Sequence, residues 1–435
     1  METASKKVVN GWAFYDWANS VYPLVITSSV FPIYYESITT TNGAAEGLRD
    51  KVTFMGMEFV NTALYAYTIS FSFLVIAALS PLLSGIADYS GNKKRFMQFF
   101  CYLGAISVIG MGFFKDLGDL NFGLATIFFA SIGYAGSLVF YNAYLPEIAA
   151  LEDQDRISAK GFSMGYIGSF ILLVACLGLI QGGIWPPEKA GIPTRISFWL
   201  TGLWWIGFSF IPFSRLPNNV YQRKPMGNRF TKGFRELQKV WTQLKGLPRL
   251  KRYLIAFFLF NTGVQTTMYM ASTFGAKELG MPTGELIMTI LLIQLVGAVG
   301  ARLFAYISGK RGNIYTLRIA VVIWIGICIS AYFIQAGWPF ITLGCAVGLV
   351  MGAIQSMSRS TYSKLLPETH DHASFFSFYD VTEKLGYVIG IAGFGLIEEL
   401  TGSMRLSALM LMGYFLLALV ALAFVPRYKA LEGKR

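Results

Sequence analysis

Residues 85–95 read Gly85-Ile86-Ala87-Asp88-Tyr89-Ser90-Gly91-Asn92-Lys93-Lys94-Arg95, a polar turn set between apolar runs at 60–87 and 96–114. Features of the turn return 221 positions later, where Gly91 meets Gly312 and Asn92 meets Asn313. At the same offset Tyr141 meets Tyr362, Leu145-Pro146-Glu147 meets Leu366-Pro367-Glu368, and Gly165-Tyr166 meets Gly386-Tyr387. Apolar residues coincide often by chance in such a chain. Gly-Asn and Leu-Pro-Glu at one fixed offset do not, so the chain reads as two parallel repeats. The copies are not identical: the position answering to Asp88 is Gly309.

What surrounds these turns sets the solvent. Apolar residues make up 54% of the 435 and charged residues 14%, and mean hydropathy is +0.51. Average globular chains carry roughly 45–50% and 25%. So much apolar surface requires lipid. The four cysteines lie far apart inside apolar runs with no CxxC pair, which argues against a disulfide framework or a thiol metal site. The two histidines, His370 and His372, fall together in a polar connection, which excludes a histidine-built metal or catalytic site within the membrane. No nucleotide-binding motif is present, so no cofactor and no ATP drive are expected.

A helix needs roughly 20 apolar residues to cross the hydrocarbon core. Twelve such runs occur, at about 11–38, 60–87, 96–114, 121–143, 157–181, 195–214, 253–275, 284–308, 317–335, 338–362, 372–397 and 404–425. They are continuous rather than alternating, which selects an all-α polytopic protein over a β-barrel. With the N-terminus inside, 27 Lys and Arg fall in inner connections and 7 in outer ones. The positive-inside rule then places both termini in the cytoplasm of a cell whose inner membrane holds the chain. The first run lacks a small-x-small cleavage site and is expected to remain as span 1.

Residues 1–214 form the expected first six-helix bundle and 253–435 the second with a short tail. Between them, 215–252 holds eleven basic residues and one acidic residue, Glu236. Phe230, Phe234, Leu237, Trp241 and Leu244 recur at helical spacing with Lys232, Arg235, Lys239 and Lys245 among them. This predicts an amphipathic helix on the anionic inner leaflet; the alternative is a solvated basic tether. The net charge of +12 is thus assigned to a membrane surface and not to nucleic acid, for which no fold motif exists. Two parallel six-helix repeats joined in this way make a transporter fold with its substrate site between the halves.

The 85–95 loop resembles the signature loop of the major facilitator superfamily. Further segments narrow the resemblance: Trp12-Ala13-Phe14-Tyr15-Asp16-Trp17-Ala18-Asn19-Ser20, Tyr141 to Glu147, Arg156-Ile157-Ser158, Gln355-Ser356-Met357-Ser358-Arg359-Ser360, and Phe378-Tyr379-Asp380-Val381-Thr382-Glu383-Lys384-Leu385-Gly386. Together they are similar to the "unknown major facilitator" group, the bacterial relatives of the fungal vacuolar amino-acid effluxers. The resemblance covers most of the chain apart from the linker and outer loops. It implies secondary transport of a small solute, with an amino acid or related metabolite as the candidate. Two positions depart from the pattern: Glu383 stands where a small residue is expected, and Gly390-Ile391 where Gly-Pro is expected.

The residues themselves suggest where the chemistry lies. A charge at the helix centre costs roughly 2.5–3.5 kcal/mol on insertion scales and marks function or a compensated pair. In span 11, Lys384 falls ~18 Å from the inner end, near mid-membrane, with Asp380 and Glu383 on the same face at i,i+4 and i,i+3 spacing. The three are candidate substrate or coupling residues; the structural alternative is a self-neutralising ion cluster. Asp16 and Asn19 in span 1 and Gln355 in span 10 join them. Asp16 reads equally as an interfacial partner of a basic residue. Asp88, Lys93, Arg95, Tyr141, Asn142, Glu147 and Arg359 sit at inner span ends and are assigned to a cytoplasmic gate. The expected function is secondary transport by alternating access, coupled to protons through the buried acids or uncoupled, in a monomer. An exporter of drugs or organic ions is the rival within transport. A membrane enzyme or lipid flippase is the rival outside it.

Overall fold

The computed structural model describes residues 2–40, 51–183, 185–186, 191–218, 221, 229–335 and 337–426. The expected roles of Phe230, Lys232 and the basic residues of the 427–435 tail lie outside what it describes at side-chain level.

Span 1 is three segments in line: α1 (Lys6–Asn19), a π-helical stretch (Tyr22–Val30) and α2 (Phe31–Thr39). Pro23 and Pro32 stand at the second positions of the last two and lack the N–H that a regular helix would use, which favours the wider winding between them. Then follow α3 (Asn61–Ser90), α4 (Lys93–Met111), α5 (Leu120–Asn142), the one-turn α6 (Leu145–Ile148), α7 (Gln154–Gln181) and α8 (Gly191–Arg215). The linker helix is α9 (Arg229–Lys245). Spans 7 to 12 are α10 (Pro248–Leu279), α11 (Thr283–Arg311), α12 (Asn313–Phe333), α13 (Gly337–Leu365), α14 (His372–Thr401) and α15 (Met404–Ala423).

Among the described residues, eight helices are long and apolar enough to cross a membrane on their own composition. The segments outside that set are span 1, α4, α10 and α14. Span 1, α10 and α14 carry Asp16, Asn19, Asn261, Gln265, Glu383 and Lys384, and α4 opens on Lys93-Lys94-Arg95. Span 1 falls outside because its three segments are each too short alone, whereas α10, α14 and α4 carry polar side chains of the site or the basic anchor.

One departure from an all-helical chain lies in the connection between span 1 and α3. β1 (Lys51–Phe54) pairs antiparallel with β2 (Met57–Val60) across Met55-Gly56, both at positive φ. That is the mirror-image two-residue turn that fits strand twist, on an alternating Lys-Val-Thr-Phe pattern.

The repeat is visible in packing. Gly165 lets α7 approach α1 closely at Ser20 and the Asp16 carbonyl, and Gly386, 221 positions on, lets α14 approach α10 at Thr262. Within the first half α4 packs on α5 and α8, and α1 on α7 and α8; within the second, α11 packs on α13 and α15 on α10 and α12. The halves meet along two seams, α3 with α14 and α7 with α11 and α13.

The linker helix does not simply lie on a leaflet. Gly233 sits against Gly85 and Ile86 of α3, and Val240 and Leu244 on the same face are buried. Phe234 and Trp241, one stripe over, remain about half exposed. The face that docks on α3 is therefore a different one from the aromatic stripe, which stays open. Lys239 bonds the Asp371 carboxylate at 2.9 Å, and Trp241 lies 5.6 Å from the Phe378 ring, so α9 touches both halves. Partial burial of the Lys239 ammonium opposes its charge, yet Glu236 and Asp371 outweigh that and raise its pKa. This side of the molecule is called the linker face below, and the opposite side the far face.

Candidate substrate cavity and gate

Between the halves lies a cavity of about 260 Å³. Span 1 contributes Asp16, Asn19 and, from its π-helical stretch, Tyr22, Thr27 and Ser28. The second half contributes Asn261, Gln265, Gln294, Gln355, Glu383 and Lys384. Of the expected substrate residues, Asp16, Asn19, Gln355, Glu383 and Lys384 line it; Asp380 does not and stands behind Lys384.

Lys384 is buried, with Nζ 3.0 Å from Asp380 Oδ1 and 4.0 Å from Glu383 Oε2, and 5.7 Å from the Phe73 ring centre. Glu383 is partly open to the cavity and accepts a hydrogen bond from Gln265 Nε2 at 3.1 Å. Asn19 is buried and its Nδ2 has no hydrogen-bond partner among the described residues, which leaves a donor for a ligand. Tyr166 donates to Gln355 Oε1 at 2.5 Å across the halves.

The cavity floor is an ion pair. Arg359 of α13 is buried and donates to Asp16 Oδ2 at 3.0 Å, Ser158 O at 2.9 Å, Ser158 Oγ at 3.0 Å and Asn142 Oδ1 at 3.3 Å. Tyr141 donates to the same Asp16 oxygen at 2.7 Å and stacks on Trp12 with ring centres 4.6 Å apart. The guanidinium also lies 4.1 Å from the Phe162 ring centre. A buried arginine needs its charge met and its donors filled, and here they are. Asp16 therefore lines the cavity and holds the Arg359 junction between the halves at once.

Nearer the linker face, the end of α3 meets the start of α14. Asp88 accepts from the backbone N–H groups of Ala373 and Ser374 at 3.2 and 2.6 Å, where the positive end of the helix dipole favours a carboxylate. Glu147 forms a close ion pair with Lys93 and lies 3.1 Å from His372 Nδ1. Lys93 also sits 4.5 Å over the Tyr144 ring. On the other seam Asp155 of α7 meets Ser308, Asn313 and Lys364. Among the described residues no hydrogen bond or ion pair joins the halves on the far-face side of Ser163 and Tyr166. The halves are thus fastened at the linker face.

The expected gate residues Asp88, Lys93, Glu147, Tyr141, Asn142 and Arg359 all gather at these junctions. Arg95 stands apart, exposed beside Gly91, Lys94, Gln98 and Asn218.

The family model described as "Vacuole effluxer Atg22 like" matches residues 4–434. The chain belongs to the Atg22-like family. It is 32% identical over 429 residues to the uncharacterized MFS-type transporter YxiO of Bacillus subtilis, covering 97% of this chain and 95% of that one. It is 24% identical to autophagy-related protein 22 of Coccidioides immitis, covering 92% and 83%. Among solved structures it shares its fold with the proton:xylose symporter XylE (TM-score 0.73, 13% identity, 97% and 95% covered) and the human organic anion transporter MFSD10 (TM-score 0.70, 15% identity, 96% and 98% covered). This Atg22-like chain is an integral, multi-pass transporter of the major facilitator superfamily and not an enzyme.

Several site residues of the Atg22-like chain escape a reading of the sequence alone. His372 opens the 372–397 run and α14 alike, but its burial against Glu147 is not visible from that place. Asp155 and Lys364 read as ordinary charges at helix ends. Gln265 and Gln294 are single polar residues in apolar runs, a signal no stronger than that of Gln355.

Proposed function

We propose that this chain carries a small zwitterionic solute, an amino acid or related metabolite, across the cytoplasmic membrane by alternating access. The observation that supports the reading is the cavity itself: Lys384 and Glu383 stand side by side on its wall, offering a cation and an anion within one solute's reach. The linker face is cytoplasmic in this reading, on the count of basic residues, and the structure then corresponds to an outward-facing state. The Lys384 ammonium takes the solute carboxylate, and Glu383 with Gln265 takes the solute amine. Asn19 supplies a donor from the opposite half, so closure around the solute brings both halves onto it.

Coupling to protons runs through Asp16 in this scheme. Its carboxylate lines the cavity and also holds Arg359. A proton arriving from the cavity neutralises Asp16, removes the charge that compensates Arg359, and loosens the floor toward the linker face. The aromatic rings of the wall, including Phe73, Tyr134, Phe257 and Tyr387, favour a second reading, an organic cation exporter, since such rings attract cations.

The test is purified protein in liposomes, with uptake of zwitterionic amino acids measured beside their amides, their N-acetyl forms and quaternary organic cations. The reading requires that zwitterions compete and that loss of either charge abolishes competition. Competition by organic cations alone would overturn it in favour of the exporter.

A further inference from the structure

The two seams are fastened by the same device with its charge moved to the opposite partner. On the α3–α14 seam the acid stands on the span end: Asp88, two residues before the end of α3, accepts from the N–H of Ala373, the second residue of α14. The pseudo-equivalent seam joins the end of α11 to the start of α7. There the span end offers only a hydroxyl, Ser308, and the acid is Asp155, the second residue of α7. Sequence alignment of the repeats puts Gly309 opposite Asp88, but Gly309 is exposed and Ser308 is the buried residue that faces the seam.

Asp155 is buried and fully engaged by the other half. Ser308 Oγ donates to Oδ2 at 2.8 Å, Asn313 Nδ2 to Oδ1 at 2.6 Å, and Lys364 Nζ lies 2.6 Å from Oδ2. Lys364 also donates to Asn313 Oδ1 at 3.1 Å. The three partners come from α11, α12 and α13. One carboxylate of the first half therefore ties three helices of the second. The Glu147–Lys93 pair of the first half has no counterpart in the second, since the residue answering to Lys93 is Ile314 and that answering to Glu147, Glu368, is exposed.

We propose that Asp155 is the second latch of the linker-face gate, a positioning residue that replaces on α7 the acid missing from the end of α11, and that the two latches together set the balance between linker-face-closed and linker-face-open states. This rests on the alternating-access reading, but not on any solute.

The test therefore needs no solute. Spin labels on cysteines introduced at Leu151 and Lys310, both exposed at the linker face on opposite halves, report the distance between the halves by electron–electron double resonance. The background lacks the four native cysteines. Asp155→Asn is expected to raise the ratio of linker-face-open to closed protein by about tenfold, within the range of measured allosteric couplings. Ser308→Asp added to Asp155→Asn rebuilds the arrangement of the other seam and is expected to return the ratio toward the starting value. Ser308→Asp alone places two carboxylates together and is expected to raise it. An acid that merely props up α7 would not be rescued from α11. An unchanged ratio in Asp155→Asn, or a folded double variant that stays open, overturns the proposal. Should Asp155→Asn yield no folded protein, Lys364→Gln reads the same ratio, and no rise there overturns it equally. Solute flux assays that fail leave this measurement intact, so the two readings fall separately.

Discussion

Replacing Lys384 separates a substrate site from a structural ion pair. Its ammonium is 3.0 Å from Asp380 Oδ1, and both side chains are almost wholly buried. Lys384→Met strands the Asp380 carboxylate without a cation, and breaking a buried pair in this way costs about 3–5 kcal/mol. The single variant should therefore show a lowered melting temperature and tell little about binding. Asp380→Asn with Lys384→Met removes both charges, and such replacements are often neutral or stabilising. Its fold should survive. Because Lys384 lines the cavity and Asp380 does not, the double variant removes a solute contact, together with the Lys384 partner of Glu383. A hydrogen bond to a charged group contributes about 1.5–3 kcal/mol, which corresponds to a loss of about 10- to 150-fold in affinity. Lys384→Arg keeps the charge but substitutes a planar fork for a compact ammonium and should bind more weakly. The assay is ligand-induced stabilisation, which follows RT ln(1 + [L]/Kd), alongside uptake in liposomes. A double variant that is folded yet silent to every zwitterion supports the substrate role. A double variant that transports at the normal rate refutes it and leaves the pair structural.

Three further outcomes are expected. Asp88→Asn should insert, fold and bind ligand but transport more slowly, because the α14 N-terminus loses its charged cap; transport at the normal rate would remove Asp88 from the gate. A cysteine at Gln238, exposed on α9, should resist an impermeant thiol reagent in intact cells and react in inverted vesicles; labelling of intact cells would reverse the orientation. Gly85→Val puts a side chain against the Gly233 carbonyl, which is backbone and cannot turn aside, so α9 should lift and its amides exchange faster; unchanged exchange would show that the glycine contact does not hold the linker helix.

The residues show what the sequence could and could not reveal. Twelve apolar runs need only hydropathy to be seen, because the bilayer forces each span to satisfy its own backbone. The 221-residue repeat is readable wherever geometry demands one residue type, as at Gly165 and Gly386, where two helices touch. Lys384, Glu383 and Asp16 stand out because a charge in a span is rare. The pairing of Asp16 with Arg359 is another matter. The two are 343 positions apart, and Arg359 sits near a span end, where a charge is unremarkable on its own. Asp155 and Lys364 are hidden for the same reason, and His372 because a helix start looks like a loop until its partner Glu147 is seen beside it. The face by which α9 docks on α3 was not legible, because the aromatic spacing marks only the stripe expected at the leaflet. The close approach to α3 instead selected Gly233, with buried Val240 and Leu244 on the same side.

The contacts between the halves share one polarity. Asp16 meets Arg359, Asp155 meets Lys364, and Asp88 meets the positive end of α14. In each, the first half supplies the acid and the second the cation or the positive dipole. The excess is not a property of the whole halves, since Lys93 neutralises Glu147 within the first. It is a property of the seam. Charges opposed in this way attract on approach and penalise misregistered closure, because any slip leaves a buried charge unmet. Opening to the linker face returns all these groups to water, where each regains solvation and the attraction weakens. The closed gate is thus held by a modest difference between large opposing quantities, which is what a cycle that must run both ways requires. Among these acids only Asp16 also lines the cavity, so it is the point at which the contents of the cavity can alter that difference. Neutralising Asp16 with Asp16→Asn should therefore shift the Leu151–Lys310 distance distribution toward opening and abolish any response of that distribution to external pH, while Glu147→Gln should shift the distribution yet leave the response. If both variants keep the same pH response, the coupling proton is carried elsewhere.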